Sequence, residues 1–226
     1  MIKWNPLYIQ DSVNISMEAL TKLSDWIMTM MLMILIGVIW FYLGIIMTKT
    51  MTNLIIDHKK IELIWTVIPM MILCFMASIS MKTLYAEEPP KQSTPMNLLA
   101  TGHQWYWEYY YPDFNINFDS FLSEWEENHF RNIECDNRVI LPVNTLLRIA
   151  VTSSDVIHSW SLPAMGIKMD ATPGRIISTS HFSKIPGLTH GFCAELCGVN
   201  HSYMPITIEH TSVLLFKNWV KSQSTN

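Results

Sequence analysis

The hydrophobic positions of the chain form two long runs near its start and only short runs afterwards. The long runs contain no charged residue and cover residues 26–47 and 63–81. Because about 20 helical residues cross a hydrocarbon core of about 30 Å, these runs predict transmembrane helices at residues 26–47 and 63–83. Two buried helices of a soluble protein are the less favoured alternative. The pattern therefore predicts a two-helix transmembrane hairpin.

A short polar segment at residues 48–62 joins the two runs and carries Lys49, Lys59 and Lys60. The positive-inside rule places such a loop in the cytoplasm or an equivalent compartment. The N-terminal segment, residues 1–25, then lies on the opposite side together with everything after the second helix. The charge bias is weak, because four lysines lie on that opposite side: Lys3, Lys22, Lys82 and Lys91.

A linker at residues 84–94 follows, in which Pro89 and Pro90 cannot continue a helix. Beyond it the chain shows short runs rich in β-branched and aromatic residues, which are typical of strands. The strand candidates are residues 96–100, 104–111, 138–141, 145–152, 176–181 and 206–215. A helical pattern occurs at residues 213–221, and the polar, acidic residues 115–132 are interpreted as a surface loop. Residues 95–226 are therefore predicted to form an all-β sandwich or barrel.

Composition and charge exclude some classes of protein and disfavour others. Half of the residues are apolar and only 15% are charged, which excludes a disordered chain. The net charge of −4 argues against a nucleic-acid-binding protein, which would carry a basic face. The negative charge is concentrated in residues 92–138, which contain eight acidic residues and only two basic ones, Arg131 and Arg138. An acidic face can attract a cationic partner, although an ordinary solvated surface is the favoured interpretation from charge alone.

Aromatic residues are concentrated in residues 105–111, of which six are aromatic. A continuous strand here would place Trp105, Trp107 and Tyr109 on one face and Tyr106 and Tyr110 on the other. From the residues alone, these side chains are interpreted as a packed barrel face with some interface aromatics.

The strongest chemical signal is a Cys-x3-Cys-x3-His-x2-Met pattern formed by Cys193, Cys197, His201 and Met204. Zinc sites rarely use a thioether, whereas thiolate, imidazole and methionine together favour copper. Two thiolates in one loop can bridge two metal ions, and a second histidine must come from elsewhere, with His158 the best candidate. A disulfide between the cysteines, a core methionine and a surface histidine remain the alternatives.

Several segments together resemble the family of cytochrome c oxidase subunit II, in its mitochondrial form, along nearly the whole chain. They are residues 9–11 (IQD), 62–66 (ELIWT), 102–107 (GHQWYW), 136–138 (DNR), 155–160 (DVIHSW), 170–175 (DATPGR) and 193–204. The resemblance implies a transmembrane hairpin followed by a cupredoxin-like Greek-key barrel that carries the binuclear copper centre CuA. It is weaker at residues 121–133, and Phe192 and Cys135 depart from the family pattern.

The resemblance also implies the metal ligands. The copper ligands would be the side chains of His158, Cys193, Cys197, His201 and Met204 and the backbone carbonyl of Glu195. The Glu195 carboxylate would bind a magnesium ion shared with the catalytic subunit, as suits a hard cation.

Further residues gain roles by resemblance. Trp105 would be an exposed aromatic that receives the electron from cytochrome c, and Glu62 would lie at the mouth of a proton path. The docking contacts for basic cytochrome c would be Gln104, Asp119, Asp136 and Asp155. The chain would transfer electrons as one subunit of the oxidase, because it contains no haem ligand set and oxygen reduction must occur in subunit I.

The resemblance places the chain in the mitochondrial inner membrane, in contact with lipid and with the other oxidase subunits. Both termini and the copper domain would lie in the intermembrane space, and no leader precedes the first run, which suits synthesis inside the organelle. Three alternatives are a copper-free quinol oxidase subunit II, a nitrous oxide reductase and a membrane-anchored copper chaperone. The intact ligand set disfavours the first, the hairpin the second and the convergence of ligands from distant segments the third.

Overall fold

The chain contains two compact units, seen in a computed structural model that describes residues 10–48, 58–87, 96–124 and 130–223. One unit is helical and covers residues 19–87, as far as they are described. The other contains the described parts of residues 1–18 and 88–226 and consists mainly of β-strands. The predicted combination of two apolar helices and an all-β domain is confirmed.

The helical unit is built on two long helices, α1 (Ile15–Met47) and α2 (Lys59–Glu87). At 1.5 Å per residue they are about 50 and about 43 Å long, which exceeds the thickness of a hydrocarbon core. Both are long and apolar enough to cross a membrane. Each extends beyond the apolar run that predicted it, because hydropathy marks the lipid-facing stretch whereas helical hydrogen bonding continues into polar residues.

The two helices contact each other in an antiparallel arrangement. Trp26, near the start of the apolar run in α1, meets Phe75 of α2 edge-on, with ring centroids 6.5 Å apart. Most other apolar side chains of the runs are exposed, including Trp40 and Trp65. This exposure is what lipid contact requires, since outward apolar side chains are unfavourable in water.

The β unit contains two five-stranded sheets. The first has the order β3 (Ile116–Ser120), β2 (Tyr106–Tyr111), β1 (Met96–His103), β5 (Leu147–Ser153) and β8 (Ile177–His181). The second has the order β4 (Val139–Pro142), β10 (Pro205–Thr211), β9 (Gly187–Cys193), β6 (His158–Leu162) and β7 (Ile167–Ala171). β1 pairs in parallel with β5, and β4 in parallel with β10. A helix, α3 (Val213–Gln223), follows the last strand.

Aromatic side chains form much of the core between the sheets. Trp107, Tyr109 and Tyr111 of β2 are fully buried. The Trp160 indole N–H donates to the Tyr109 hydroxyl at 3.3 Å, and the Tyr111 hydroxyl donates to a backbone carbonyl at 3.0 Å. These hydrogen bonds satisfy the buried polar ends of Tyr109, Tyr111 and Trp160. The buried Trp107 indole N–H has no hydrogen-bond partner among the described residues.

Three sequence interpretations are corrected. The stretch 115–132 is not entirely loop, because β3 pairs with β2 and buries Ile116 and Ser120. The predicted strand at 104–111 is interrupted, since Gln104 and Trp105 form a turn between β1 and β2. The strand predicted at 206–215 ends at Thr211, and α3 begins at Val213. Strands β6 and β9 were not predicted, because their short patterns include glycine or buried polar residues. Strand β7 was not predicted either, although its buried and exposed residues alternate.

A buried histidine pair joins the two sheets. His181 of β8 and His210 of β10 place their Nε2 atoms 3.0 Å apart. Burial and the neighbouring His210 lower the pKa of His181 from 6.5 to about 3, and burial lowers the pKa of His210 to about 4. Both rings are therefore neutral in the folded protein near neutral pH.

We expect acid to destabilise the β unit through this pair. The folded pKa values lie below the unfolded value, so the stabilisation is present at neutral pH and is lost as pH falls below about 6.5. The free energy of unfolding should fall by about 2 kcal/mol between pH 7 and pH 5 for each ring that must ionise on unfolding. Thermal unfolding of the full chain in detergent would measure this change. A His181→Leu/His210→Leu double variant should show a smaller pH dependence, and an unchanged one would contradict the assignment.

Candidate metal centre

The predicted ligands converge because two neighbouring strands begin and end at the same place. His158 is the first residue of β6, and Cys193 is the last residue of β9. These strands pair in antiparallel register, with Trp160 opposite Cys193. The loop from β9 to β10 then returns Cys197, His201 and Met204 towards the same point.

The two sulfur atoms occupy the middle of the cluster. Cys193 Sγ and Cys197 Sγ are 3.9 Å apart, so the two cysteines are free rather than disulfide-bonded. His158 Nδ1 lies 3.9 Å from Cys193 Sγ, and His201 Nδ1 lies 3.5 Å from Cys197 Sγ. Each thiol thus has an imidazole nitrogen beside it, and the ligand atoms of His158, Cys193 and Cys197 all lie within 4.8 Å of one another.

Two further groups complete the cluster. Met204 Sδ lies 3.5 Å from Cys197 Sγ, and the Glu195 backbone carbonyl lies 3.3 Å from Cys193 Sγ. His158, Cys193, Cys197 and Met204 are all buried. Two thiolates, two imidazoles, one thioether and one carbonyl suit a pair of soft metal ions bridged by sulfur. The set suits copper better than zinc, whose structural sites use four thiolate or imidazole ligands and no thioether.

The electrostatics favour a deprotonated sulfur at this point. Burial alone would raise the pKa of Cys193, but hydrogen bonds from His158 and from the backbone of Ser159 and Glu195 lower it. Burial and the negative charge of Cys193 raise the pKa of Cys197. Burial alone would lower the pKa of His158, yet Cys193 and Asp155 together raise it. The first thiolate is therefore available at neutral pH, and a bound cation would stabilise the second.

Asp155 and Gln104, which the sequence analysis assigned to docking, lie directly beside this cluster. The Asp155 Oδ1 atom accepts from His158 Nε2 at 2.9 Å, and its Oδ2 accepts from the Gln104 backbone N–H at 2.7 Å. The Gln104 side-chain amide donates to the Cys197 carbonyl at 2.7 Å. Burial opposes the charged form of Asp155, but hydrogen bonds from His158 and from the backbone N–H groups of Val156 and Gln104 lower its pKa.

Trp105 is half-buried rather than exposed, which corrects the sequence interpretation. Its indole packs against the loop between β9 and β10 at Gly198, where an added Cβ would lie 3.1 Å from Trp105 Cζ2. Gly198 also has φ = +123°, which disfavours any larger residue. Because the residue after Cys197 is a glycine, the Trp105 indole can lie close to Cys197.

The remaining predicted docking acids lie at a second place on the same domain. Asp119 is exposed on β3. Asp136 is also exposed, and its carboxylate accepts from the backbone N–H of Phe121 at 2.8 Å. The Asn137 side-chain amide donates to the Asp119 carbonyl, which links the two acids through one turn. Glu62 is exposed in the first turn of α2, in the helical unit.

Two glycines, Gly102 and Gly198, shape the site. A Cβ on Gly102 would lie 2.8 Å from the His158 ring, so only glycine lets β1 pass this close to the ligand. Gly198 has the same role toward Trp105. Both sit inside the motifs that carried the resemblance, and that placement is the only signal that could have identified them.

The comparisons with known proteins agree with this geometry. Residues 96–211 match the family model described as cytochrome C oxidase subunit II, periplasmic domain, and residues 2–83 match its transmembrane domain. Cytochrome c oxidase subunit 2 of Simulium vittatum is 41% identical over 230 residues, covering 100% of both chains. The protein of the same name from Drosophila melanogaster is 41% identical over 229 residues, also covering 100% of both chains.

A solved structure is also similar to the β unit. The periplasmic domain of subunit II of cytochrome oxidase (CoxB) of Bradyrhizobium japonicum is 39% identical, with a TM-score of 0.56. The match covers 59% of this chain and 96% of the bacterial one. The β unit therefore has the fold of that periplasmic domain.

Proposed function

Because this chain belongs to the cytochrome c oxidase subunit II family, we propose that it accepts electrons from reduced cytochrome c at a binuclear copper centre. It would pass them to the catalytic subunit that reduces oxygen to water with proton pumping. The observation that carries this proposal is the pair of sulfur atoms 3.9 Å apart, each with its own imidazole nitrogen within 3.9 Å.

The residues proposed to hold the two copper ions are His158, Cys193, Glu195 through its carbonyl, Cys197, His201 and Met204. When bound, the copper pair supplies a one-electron redox site whose charge is shared between two metals. The chain's own contribution is rigidity: the ligands lie at strand ends and in a loop anchored by both strands. Met204 would offer its thioether as a weak ligand and is proposed to tune the potential of the copper pair.

Electron acceptance is proposed to occur at Trp105. Its ring lies against Gly198, which directly follows Cys197, and the Gln104 amide holds the Cys197 carbonyl. Adjacent residues thus contact the ligand Cys197 and the residue that follows it. Gln104, Asp119, Asp136 and Asp155 are proposed as the docking contacts for a basic partner.

The carboxylate of Glu195 is proposed to bind a magnesium ion at the boundary with subunit I. Glu195 is exposed while its carbonyl points back to Cys193, so one residue can serve two metal sites. The chain is proposed to lie in the mitochondrial inner membrane with the copper domain and both termini in the intermembrane space.

A membrane-anchored copper chaperone is the second function considered. Transfer of copper needs exposed, exchangeable ligands, whereas four of the five ligand side chains here are buried. The five come from two separate segments, one at His158 and one at residues 193–204. A copper-free quinol oxidase subunit would not require the five converging side chains. The buried donor set therefore favours a resident electron-transfer centre.

Docking is tested by neutralising one exposed acid in the assembled oxidase. Asp119→Asn should raise the KM for cytochrome c by about twofold to fivefold at low salt, as expected for one exposed charge pair. The effect should fade as ionic strength increases and the Debye length shrinks to about 8 Å. Asp119→Glu keeps the charge and should behave as wild type. A salt-independent KM in the wild-type enzyme would contradict docking by charge.

The proton role proposed for Glu62 has its own test. Glu62→Gln should slow turnover during reduction of the haem–copper site while reduction of the copper centre by cytochrome c stays fast. Glu62→Asp keeps a carboxylate and should retain most of the activity. Stopped-flow absorption would follow the copper centre and the haems separately. Equal slowing of both steps would indicate misassembly, and no slowing would leave Glu62 as a membrane-surface anchor.

A further inference from the structure

The carboxylate of Asp155 is occupied by internal hydrogen bonds. Its Oδ1 contacts His158 Nε2 at 2.9 Å and accepts from the Val156 N–H at 2.6 Å, and the Ser153 hydroxyl lies 3.3 Å away. Its Oδ2 accepts from the Gln104 N–H at 2.7 Å. A carboxylate has about four acceptor positions, so these donors use most of them. Such a group has little capacity left for a partner protein, although its side chain is still 32% exposed.

On one side, Asp155 fixes a metal ligand. The His158 Nδ1 atom faces Cys193 Sγ, so the ring must carry its proton on Nε2, which points at Asp155. A carboxylate in this position selects the tautomer, orients the ring and makes the coordinating nitrogen more basic. Gly102 leaves room for the ring in this orientation, because a Cβ there would collide with it.

On the other side, Asp155 fixes the turn that carries Trp105. Its hydrogen bond to the Gln104 N–H anchors the residue immediately before Trp105. The Gln104 side chain then donates to the Cys197 carbonyl at 2.7 Å. Asp155 is thus linked to Cys193 through His158 and to Cys197 through Gln104. These five residues are called the Asp155 network below.

We propose that Asp155 is a positioning residue that holds a copper ligand and the Trp105 turn at a fixed separation, in addition to any docking role. The inference rests on the proposed copper centre. It separates Asp155 from Asp119 and Asp136, which are exposed and contact none of the proposed ligands through any hydrogen bond described in the structure.

The test compares three variants of the chain in the assembled oxidase. Asp155→Asn keeps the shape of the side chain and removes its charge, whereas Asp155→Glu keeps the charge and displaces the carboxylate by one methylene. Asp119→Asn removes a charge outside the Asp155 network. The measurements are copper release to a chelator, the histidine nitrogen couplings in the spin-resonance spectrum, and single-turnover electron transfer at saturating cytochrome c.

Both Asp155 variants should release copper faster and transfer electrons more slowly, by roughly tenfold to a hundredfold, as is typical when a partner of a metal ligand is lost. The couplings of one histidine should change in both. Asp155→Glu should retain the salt dependence of the wild type, because its charge is intact. Asp119→Asn should show the reverse: a normal copper spectrum with an altered KM.

Complete loss of copper from both Asp155 variants, with the wild type loaded, would also support the proposal, since a mere docking charge does not retain metal. If Asp155→Asn instead behaves like Asp119→Asn in all three measurements, the positioning role is wrong while the proposed function stands. A wild-type chain that binds no copper in the assembled enzyme would overturn the proposed function itself and the inference with it.

Discussion

Replacing Cys193 or Cys197 with serine is expected to abolish the signal of a copper pair. The two sulfur atoms lie 3.9 Å apart at the centre of the donor set, and each faces a different histidine. A serine hydroxyl is a hard, weakly acidic donor and cannot bridge two soft ions as a thiolate does. Copper content should fall from two ions per chain to one or none. Metal analysis and spin-resonance spectroscopy of the purified enzyme would measure both quantities.

Two variants make this prediction specific. Cys135→Ser alters a buried free cysteine outside the cluster, whose thiol contacts the Pro205 carbonyl at 3.5 Å, and should leave the copper signal intact. Met204→Leu should keep copper but shift its potential, because the thioether is a tuning ligand. A single copper ion in a fully loaded wild-type chain would contradict the proposal of a binuclear centre.

The sequence predicted the fold class and the ligand set because both depend on local signals. Long uncharged runs identify membrane-spanning helices by length, and four of the five proposed side-chain ligands lie within twelve residues of one another. His158 was harder to place, since its proximity to Cys193 depends on the pairing of β6 with β9. Only the six-residue motif around it, residues 155–160, taken as a resemblance, indicated that it belonged to the cluster.

The details that the sequence missed are non-local. β9 contains two glycines, and Gly191 lies where a Cβ would overlap the Ser161 carbonyl of the adjacent strand. Its strand character comes from pairing on both sides rather than from β-branched residues. Asp155 was assigned to docking by the family resemblance alone. Its hydrogen bond to Gln104 depends on a tertiary contact between residues far apart in the chain, whereas His158 lies only three residues away.

Burial of Trp105 was missed for a similar reason. A strand with period two predicts which face a residue occupies, but Trp105 lies in a turn, where that period does not apply. Its ring packs against Gly198, 93 residues further along the chain. The half-buried position changes the expected mechanism, because the ring's inner face contacts the loop that carries the proposed ligands while only its outer part remains for a partner.

Trp105→Ala is expected to slow electron transfer from bound cytochrome c far more than it weakens binding. The substitution removes the ring that spans the distance between the protein surface and Gly198. Gln104 still anchors the backbone through Asp155 and Cys197, so the docking acids keep their places. Because a displacement of about 1 Å in a reacting geometry can cost on the order of a hundredfold in rate, loss of the whole ring should cost at least that much.

Trp105→Phe separates the contribution of the ring from that of packing. Phenylalanine keeps an aromatic side chain against Gly198 and should restore part of the rate, whereas alanine should not. The spin-resonance spectrum must be unchanged in both variants, because neither substitution touches a proposed ligand. Single-turnover reduction of the copper centre at saturating cytochrome c measures transfer, and the KM in steady state reports docking. If Trp105→Ala raised the KM while single-turnover transfer kept its wild-type rate, electrons would have to arrive by another route, and Trp105 would be a docking contact alone.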